Sequence, residues 1–400
     1  MHRAAEGDKM GIIVEVRNPA EDLSDKIQAQ KKRRYLQGAW EVTALILAVI
    51  STILLLEIQT YAHVHVMNSV SMNEDGTGSY QQMGDGVLRS SRDGAALLNA
   101  EGEEQWNQSY QIQTPMTVVN GGSAVVADRG GNDMYVFDED GLRGEIHTSY
   151  PIERVQTAEN GIVCALLKNE GEPVVMCYDA AGNKLVEQKA SVSGIGYPLS
   201  MALSPDGSLM QVSYLCVADG VQATRVAYYN FSEDHAENST QQVTEDLYKN
   251  TVIPEAYFVD DSTSVLIGDQ AFYVYEGKEE PKLARSVEAG ADITGVVHED
   301  GYIGMILRNS EGEGYELRVY DTAGTIRMSK GFEGEYANAK MAKGDVVLYE
   351  GRRCRIYSQW GVLKFDGEID ETIREIIPQT GINKYLIVST KGIEEVRLVK

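Results

Sequence analysis

Apolar and polar positions divide the chain into three regimes. From Val42 to Leu56 fifteen consecutive residues carry no formal charge. At about 1.5 Å rise per residue this run covers roughly 22 Å and, extended to Gly38 and Thr60, reaches the ~30 Å of bilayer hydrocarbon. It predicts a transmembrane helix over 39–60, with Trp40 and Tyr61 placed as interfacial anchors and Glu41 and Glu57 at depths where carboxylates keep their water. Upstream, Asn18 is an N-cap, Pro19 fits the first helical position and Glu21 follows three residues after the cap, so a helix begins near residue 19 and runs into the apolar stretch. Downstream the period changes to two. Tyr61 to Met72 alternates as a strand, Asn73 to Ser79 reads as a polar loop, and from Tyr80 onward strands and turns recur without an amphipathic helix.

The downstream part repeats itself. An apolar or aromatic strand followed by an acidic residue and a glycine turn appears as Met134-Tyr-Val-Phe-Asp-Glu-Asp-Gly141, Val175-Met-Cys-Tyr-Asp-Ala-Ala-Gly182 and Leu317-Arg-Val-Tyr-Asp-Thr-Ala-Gly324. Shorter copies surround Tyr229, Tyr275 and Tyr357. The Asp side chain caps its own backbone and the glycine accepts positive φ, so the chain can return antiparallel. With Leu98, Phe137, Tyr178, Tyr229, Tyr275, Tyr320 and Tyr357 equivalent, the spacings are 39, 41, 51, 46, 45 and 37 residues, and a further ~40 lands near Val396. A period of forty-odd residues with several short strands predicts an all-β, eight-bladed β-propeller, with seven blades as the alternative. The widest spacing contains the insert Ser232 to Tyr248, where a short helix fits.

An open ring would leave unpaired edge strands. The last unit supplies only three strands, Ile373 to Pro378, Tyr385 to Ser389 and Ile393 to Val399. Tyr61 to Met72 is the candidate fourth. The expected organisation is therefore a cytoplasmic segment (1–38), a transmembrane helix (39–60), a closing strand and loop (61–79) and the propeller (80–400).

Charge sets the orientation. Lys31, Lys32, Arg33 and Arg34 precede the apolar run and no Lys or Arg follows closely, which puts the amino terminus in the cytoplasm and the propeller outside. A cleaved signal peptide is the rival reading, but the leader of nearly forty residues is far longer than an ordinary n-region. Net charge is −24, carried by the part after residue 38. Such a surface repels phosphate backbones and excludes nucleic acid as a partner, leaving a basic partner or a divalent cation open.

Candidate chemistry is sparse. No phosphate-cradling, nucleophile-elbow or HExxH motif occurs, and Gly194-Ile195-Gly196 is a turn. His63 and His65 share a strand face and read as solvated, while His147, His235 and His298 offer no triad spacing. Asp128 to Asp133, Asp138 to Asp140 and Asp260-Asp261 lack the EF-hand spacing. Cys164 and Cys177 flank a hairpin and can face each other across it; with Cys216 and Cys354 they are expected to be free, buried, small hydrophobes. Tyr302, Tyr336 and Tyr349 are candidates for a recognition surface. No catalytic, cofactor-binding or metal residue is assigned, and no cofactor is expected.

Ala96-Leu-Leu-Asn-Ala-Glu-Gly102-Glu-Glu-Gln-Trp106 is similar to the strand, glycine turn and tryptophan of a quinoprotein repeat. From Tyr61 to Lys400 the chain resembles quinoprotein-type and WD-repeat-like propellers. With its anchor it resembles an uncharacterised family of single-pass bacterial membrane proteins that carry a propeller outside the cell. The resemblance implies that Trp106 docks between adjacent blades. It does not extend to quinone chemistry, because the vicinal cysteine pair of enzymatic quinoproteins is missing. The expected function is a membrane-anchored, non-catalytic module that binds a protein or a cell-envelope ligand. An extracytoplasmic enzyme, quinoprotein-like or glycan-active, with its site at the propeller axis is the alternative.

Overall fold

A computed structural model describes residues 58–71, 78–99, 101–232, 241–299, 301–309 and 314–400, preceded by 39–52 and the single positions 30, 32, 35 and 55. The chain divides into 1–58 and 59–400. In the first unit residues 39–52 are helical and exposed, with the hydroxyls of Thr43 and Thr52 each bonded at 2.8 Å to the carbonyl four residues earlier. Among the described residues no helix is long and apolar enough to cross a membrane. The expected span 39–60 is described only in part, and the helix start at Asn18 and most of the Lys31–Arg34 cluster lie outside the described residues.

The second unit consists of eight four-stranded antiparallel sheets. Blades 1 to 7 span 79–109, 115–147, 152–189, 197–249, 255–288, 293–332 and 338–368; blade 8 combines three strands of 373–399 with His63–Ser71. First strands of neighbouring blades lie side by side at the axis. Eight apolar clusters fill the spaces between sheets, each drawing residues from two successive blades, and the cluster of Tyr80, Val87 and Leu98 with Ile377, Leu386 and Val388 joins blade 8 to blade 1. The ring is therefore closed with eight blades. Middle strands such as Val163–Leu167 are buried throughout because both faces meet a neighbour, whereas outer strands such as Lys184–Lys189 alternate.

The repeat has a structural meaning. At Leu98, Phe137, Tyr178, Tyr229, Tyr275, Tyr320 and Tyr357 the third strand meets a β-bulge in the fourth, and the eighth bulge falls at Val396. An extra residue in the outermost strand re-aims its side chain and increases the twist. Trp106, beside the first bulge, stacks on Phe137 of blade 2 at 5.2 Å and donates its indole N–H to the Glu139 carbonyl at 3.1 Å, so it docks between blades.

The seam follows the expected pairing. His63 lies opposite Val399 and Ser71 opposite Gly392. The chain enters beside blade 7, where the Tyr61 N–H donates to the Lys364 carbonyl at 2.7 Å and the Thr60 hydroxyl to the Leu363 carbonyl at 2.8 Å. Lys364 is the extra residue of the blade 7 bulge, and its ammonium is buried against Asp345 at 2.8 Å, the two side chains being 6 and 8% exposed. Tyr385 of blade 8 donates to the same carboxylate at 2.5 Å. His63 and His65 are exposed on the closing strand.

One expectation is corrected. Cys164 and Cys177 are not free thiols: the register sets them directly opposite, 4.0 Å apart at Cα, and they form a disulfide inside the cluster between blades 3 and 4. Hairpin spacing allowed that pairing without requiring it, since a shift of one residue would have turned the two side chains to opposite faces. Cys216 and Cys354 are free. Of the insert Ser232 to Tyr248, the second half belongs to the outer strand Gln242–Lys249, and 233–240, where a short helix would have to lie, are outside the described residues.

Ser204-Pro205-Asp206-Gly207 ties three blades together. Asn160 of blade 3 donates to the Asp206 carbonyl at 2.6 Å, and Asp206 accepts from Lys278 of blade 5 at 2.8 Å. Burial alone would raise the Asp206 carboxyl, but Lys278, the Ser208 N–H and the hydroxyls of Ser204 and Ser208 hold it down at about 2. A depressed carboxyl contributes stability above the unfolded value near 4 that is lost as pH falls toward 2. Acid unfolding followed by circular dichroism should therefore steepen between about pH 4 and 2, and Asp206→Asn should flatten that dependence while lowering stability at neutral pH. At the seam, Lys364→Met should destabilise by about 3–5 kcal/mol in urea unfolding, because it removes the cation from a buried carboxylate, and adding Asp345→Asn should recover part of the loss.

Candidate functional site

The crossover from blade 6 to blade 7, Phe332 to Asn338, builds an aromatic wall on one propeller face. Gly334 turns the chain at φ 94°, and a Cβ there would press on the Arg353 guanidinium at 3.3 Å. The turn lays Tyr336 under Arg353 and Arg355, whose guanidinium carbons sit 5.6 and 5.8 Å from its ring centre. Phe332 meets Tyr336 edge-on at 5.9 Å and stacks on Tyr315 at 5.7 Å. Arg355 is in turn held by Asp366 at 2.6 Å. The aromatic wall is thus braced from behind.

In front of this wall opens a cavity of about 560 Å³. Thr294, Gly295, Val296 and Ile306 of blade 6, Ala337 of the crossover and Asn338 and Ala339 of blade 7 complete its lining, and Glu335 and Glu350 stand exposed at the rim. The Tyr315 hydroxyl reaches Glu335 at 3.4 Å, whereas the Tyr336 hydroxyl is buried without a hydrogen-bond partner. Burial raises the Tyr336 phenol, with Arg355 opposing, so it stays neutral. A second cavity of about 460 Å³ adjoins at Thr294–Val296 and is lined further by Glu255, Asp269 and Asp292. A third, of about 550 Å³, shares Ala339 and lies among Gln81, Gln82, Lys340, Tyr349 and Glu375 of blades 1, 7 and 8. Together they form a mouth and the lumen behind it.

Lumen groups are reached by water yet surrounded by protein. Burial raises the Glu375 carboxyl, with Lys340 opposing from 3.0 Å, and raises Glu255 as well. His298 stacks on Tyr257 with ring centres 3.5 Å apart, and burial lowers it to about 4, leaving it neutral. The two raised carboxyls line different cavities, and Glu375 is already ion-paired. This arrangement can orient a ligand; among the described residues it does not set a nucleophile against a base.

The three tyrosines singled out from sequence are dispersed. Tyr336 is in the mouth and Tyr349 in the lumen, while Tyr302 begins the second strand of blade 6 and packs against the cluster between blades 6 and 7. His147 pairs with Asp133 at 2.8 Å on an outer strand, and His235 lies outside the described residues. The acidic clusters serve turns. Asp128 accepts from the N–H groups of Gln113 and Thr114, Asp138 from those of Asp140 and Gly141, and Asp260 from that of Ser262. Among the described residues no group of three ligating side chains is placed to hold a metal. Tyr315, Phe332, Glu335 and Glu350 had escaped sequence reasoning; only aligning the ends of successive repeats would have brought them together.

The propeller resembles solved structures at low identity. BamB from Moraxella catarrhalis matches with TM-score 0.51 and 12% identity, covering 84% of this chain and 99% of that one. Sqt1 of Saccharomyces cerevisiae matches with TM-score 0.54 and 11% identity, covering 85% and 100%. These likenesses concern the fold. No curated protein matches the chain. The family whose model does match, over residues 57–398, is described as a family of unknown function, DUF5711; no quinoprotein or WD-repeat family model matches. By that match, which takes in nearly all of the propeller, the chain belongs to the DUF5711 family.

Proposed function

We propose that the protein is a membrane-tethered, extracytoplasmic binding module that captures a protein or envelope ligand at the mouth between blades 6 and 7 without transforming it. The observation that carries this reading is the position of the mouth. It is built from starts of first strands, ends of second and fourth strands and a crossover loop, so it opens on the face opposite to Thr60, Tyr61 and Val399, where the chain joins and leaves the ring. A tether attached at one face leaves the other free.

Two further features support the location. The uncharged run Val42–Leu56 behind Lys31–Arg34 has the length and charge asymmetry of an anchor with its amino terminus inside. The buried Cys164–Cys177 disulfide suits an oxidising compartment.

Trp360, 65% exposed in a turn on the entry face, offers a labelling position for topology. In spheroplasts, Trp360→Cys should react with a membrane-impermeant maleimide above the wild-type background, and failure to react until the membrane is lysed would contradict an external propeller. A photo-crosslinking amino acid at Ala337 in the mouth should yield partner adducts in intact cells. The same group at Leu283 on an outer strand should not, and equal adducts from both positions would remove the mouth from consideration.

A further inference from the structure

We infer that the mouth recognises a basic peptide segment, taking Lys or Arg side chains against its aromatic wall and carboxylate rim. The inference rests on the mouth being the binding site and adds what it binds.

The lining of the two adjoining mouth cavities contains five carboxylates, Glu255, Asp269, Asp292, Glu335 and Glu350, and no lysine or arginine. Among the described residues none of the five is engaged in an ion pair with a basic side chain. The Tyr315, Phe332 and Tyr336 rings beside them are neutral π surfaces, which attract a desolvated cation across a ring face. The protein itself demonstrates the compatibility, since Arg353 and Arg355 already lie against Tyr336, and Arg355 also lies 6.0 Å from the Phe332 ring centre. These two arginines do not cancel the rim. Arg355 is paired with Asp366, and Arg353 lies across one strand pair from Glu368 and across the other from Glu350, so Glu350 is the one rim carboxylate of the five that already stands near a resident cation.

Size and field favour a segment over a single amine. The cavities of about 560 and 460 Å³ meet at Thr294–Val296, so a chain crossing from one to the other passes both groups of carboxylates. The net charge of −24 would steer a cationic segment toward the protein from a distance, while the mouth offers aromatic faces beside these carboxylates for the bound state. A neutral glycan would use the rings but would leave the carboxylates without a charged partner.

The experiment uses the full chain in detergent or nanodiscs and three fluorescent octapeptides of alternating sequence, Lys-Ala, Gln-Ala and Glu-Ala. The Lys-Ala peptide should bind, the other two should not, and binding should weaken with salt. Glu335→Gln with Glu350→Gln should weaken it by about tenfold, as should Tyr336→Ala, in line with cation–π and ionic contributions of roughly 1–2 kcal/mol. Glu101→Gln with Glu276→Gln, exposed positions away from the mouth that change the net charge equally, should leave binding unchanged. Ala337→Lys, which puts a cation at the rim without removing a packed ring, should block binding while leaving the thermal melt as in wild type. Absence of Lys-Ala binding, or an equal loss from the remote pair, overturns the inference. Adducts from the Ala337 photo-crosslinker persisting in that case would leave the binding-module reading intact, with a partner of different chemistry.

Discussion

Closure of the ring is the constraint on which the rest of this protein depends. Each blade buries both faces of its middle strands only because another blade stands on either side, and eight apolar clusters complete the circuit. Without the last contact, blade 1 would expose Val87 and Leu98 and blade 8 would expose Leu386 and Val388. The chain solves this by lending its first strand to its last sheet, so that His63–Ser71 is hydrogen-bonded along Gly392–Val399. Ends that are far apart in sequence thereby hold each other, and the residues leading into the ring are fixed at one face.

The same closure explains an otherwise costly feature. A lysine and an aspartate buried at the blade 7–8 boundary lose their hydration, and such pairs are often no better than apolar replacements. Here Lys364 is the bulge residue of the outer strand, its carbonyl receives the entering chain at Tyr61, and Asp345 receives Tyr385 from the next blade. The Tyr61 and Thr60 hydrogen bonds therefore hold the entering strand beside blade 7, next to the sheet it completes, while the buried pair and Tyr385 fasten blade 7 to blade 8. Apolar packing supplies attraction there, and the polar groups supply register.

Much of this was legible in the sequence, for reasons that also mark where legibility ended. Apolar or aromatic residues about forty apart, aromatic in six of the seven, coincide with the bulge of the outer strand in seven blades, and the extrapolated Val396 coincides with the eighth, because one local geometry recurs. The missing fourth strand was likewise deducible from counting. The disulfide was not, since facing depends on a register that spacing leaves open by one residue. Nor was the mouth, for Phe332 to Asn338 lies in a crossover, where length and sequence vary from blade to blade and no repeat constrains them. Tyr336 was noticed for its type; its partnership with Tyr315 and Phe332 is a product of strand ends brought together by the ring.

The distribution of acidic groups separates structure from recognition more clearly than their number does. Carboxylates in turns on the entry face have work within the fold. In Asp138, Asp206, Asp260 and Asp321 backbone N–H groups or basic side chains outweigh burial and hold the carboxyl below its usual range, and in Asp179 bonds from Asn183 do the same. Their charge stabilises turns that the repeat requires. The mouth carboxylates have no comparable set of donors, and Glu255 is even pushed upward by burial. Folding alone gives no reason to gather five such groups beside three aromatic rings, since mutual repulsion and partial desolvation both oppose it. Of the five, Glu335 accepts from the Tyr315 hydroxyl and Asp269 from the Val252 N–H, both at 3.4 Å, and these weak internal roles leave an external cation as the proposed partner of the cluster.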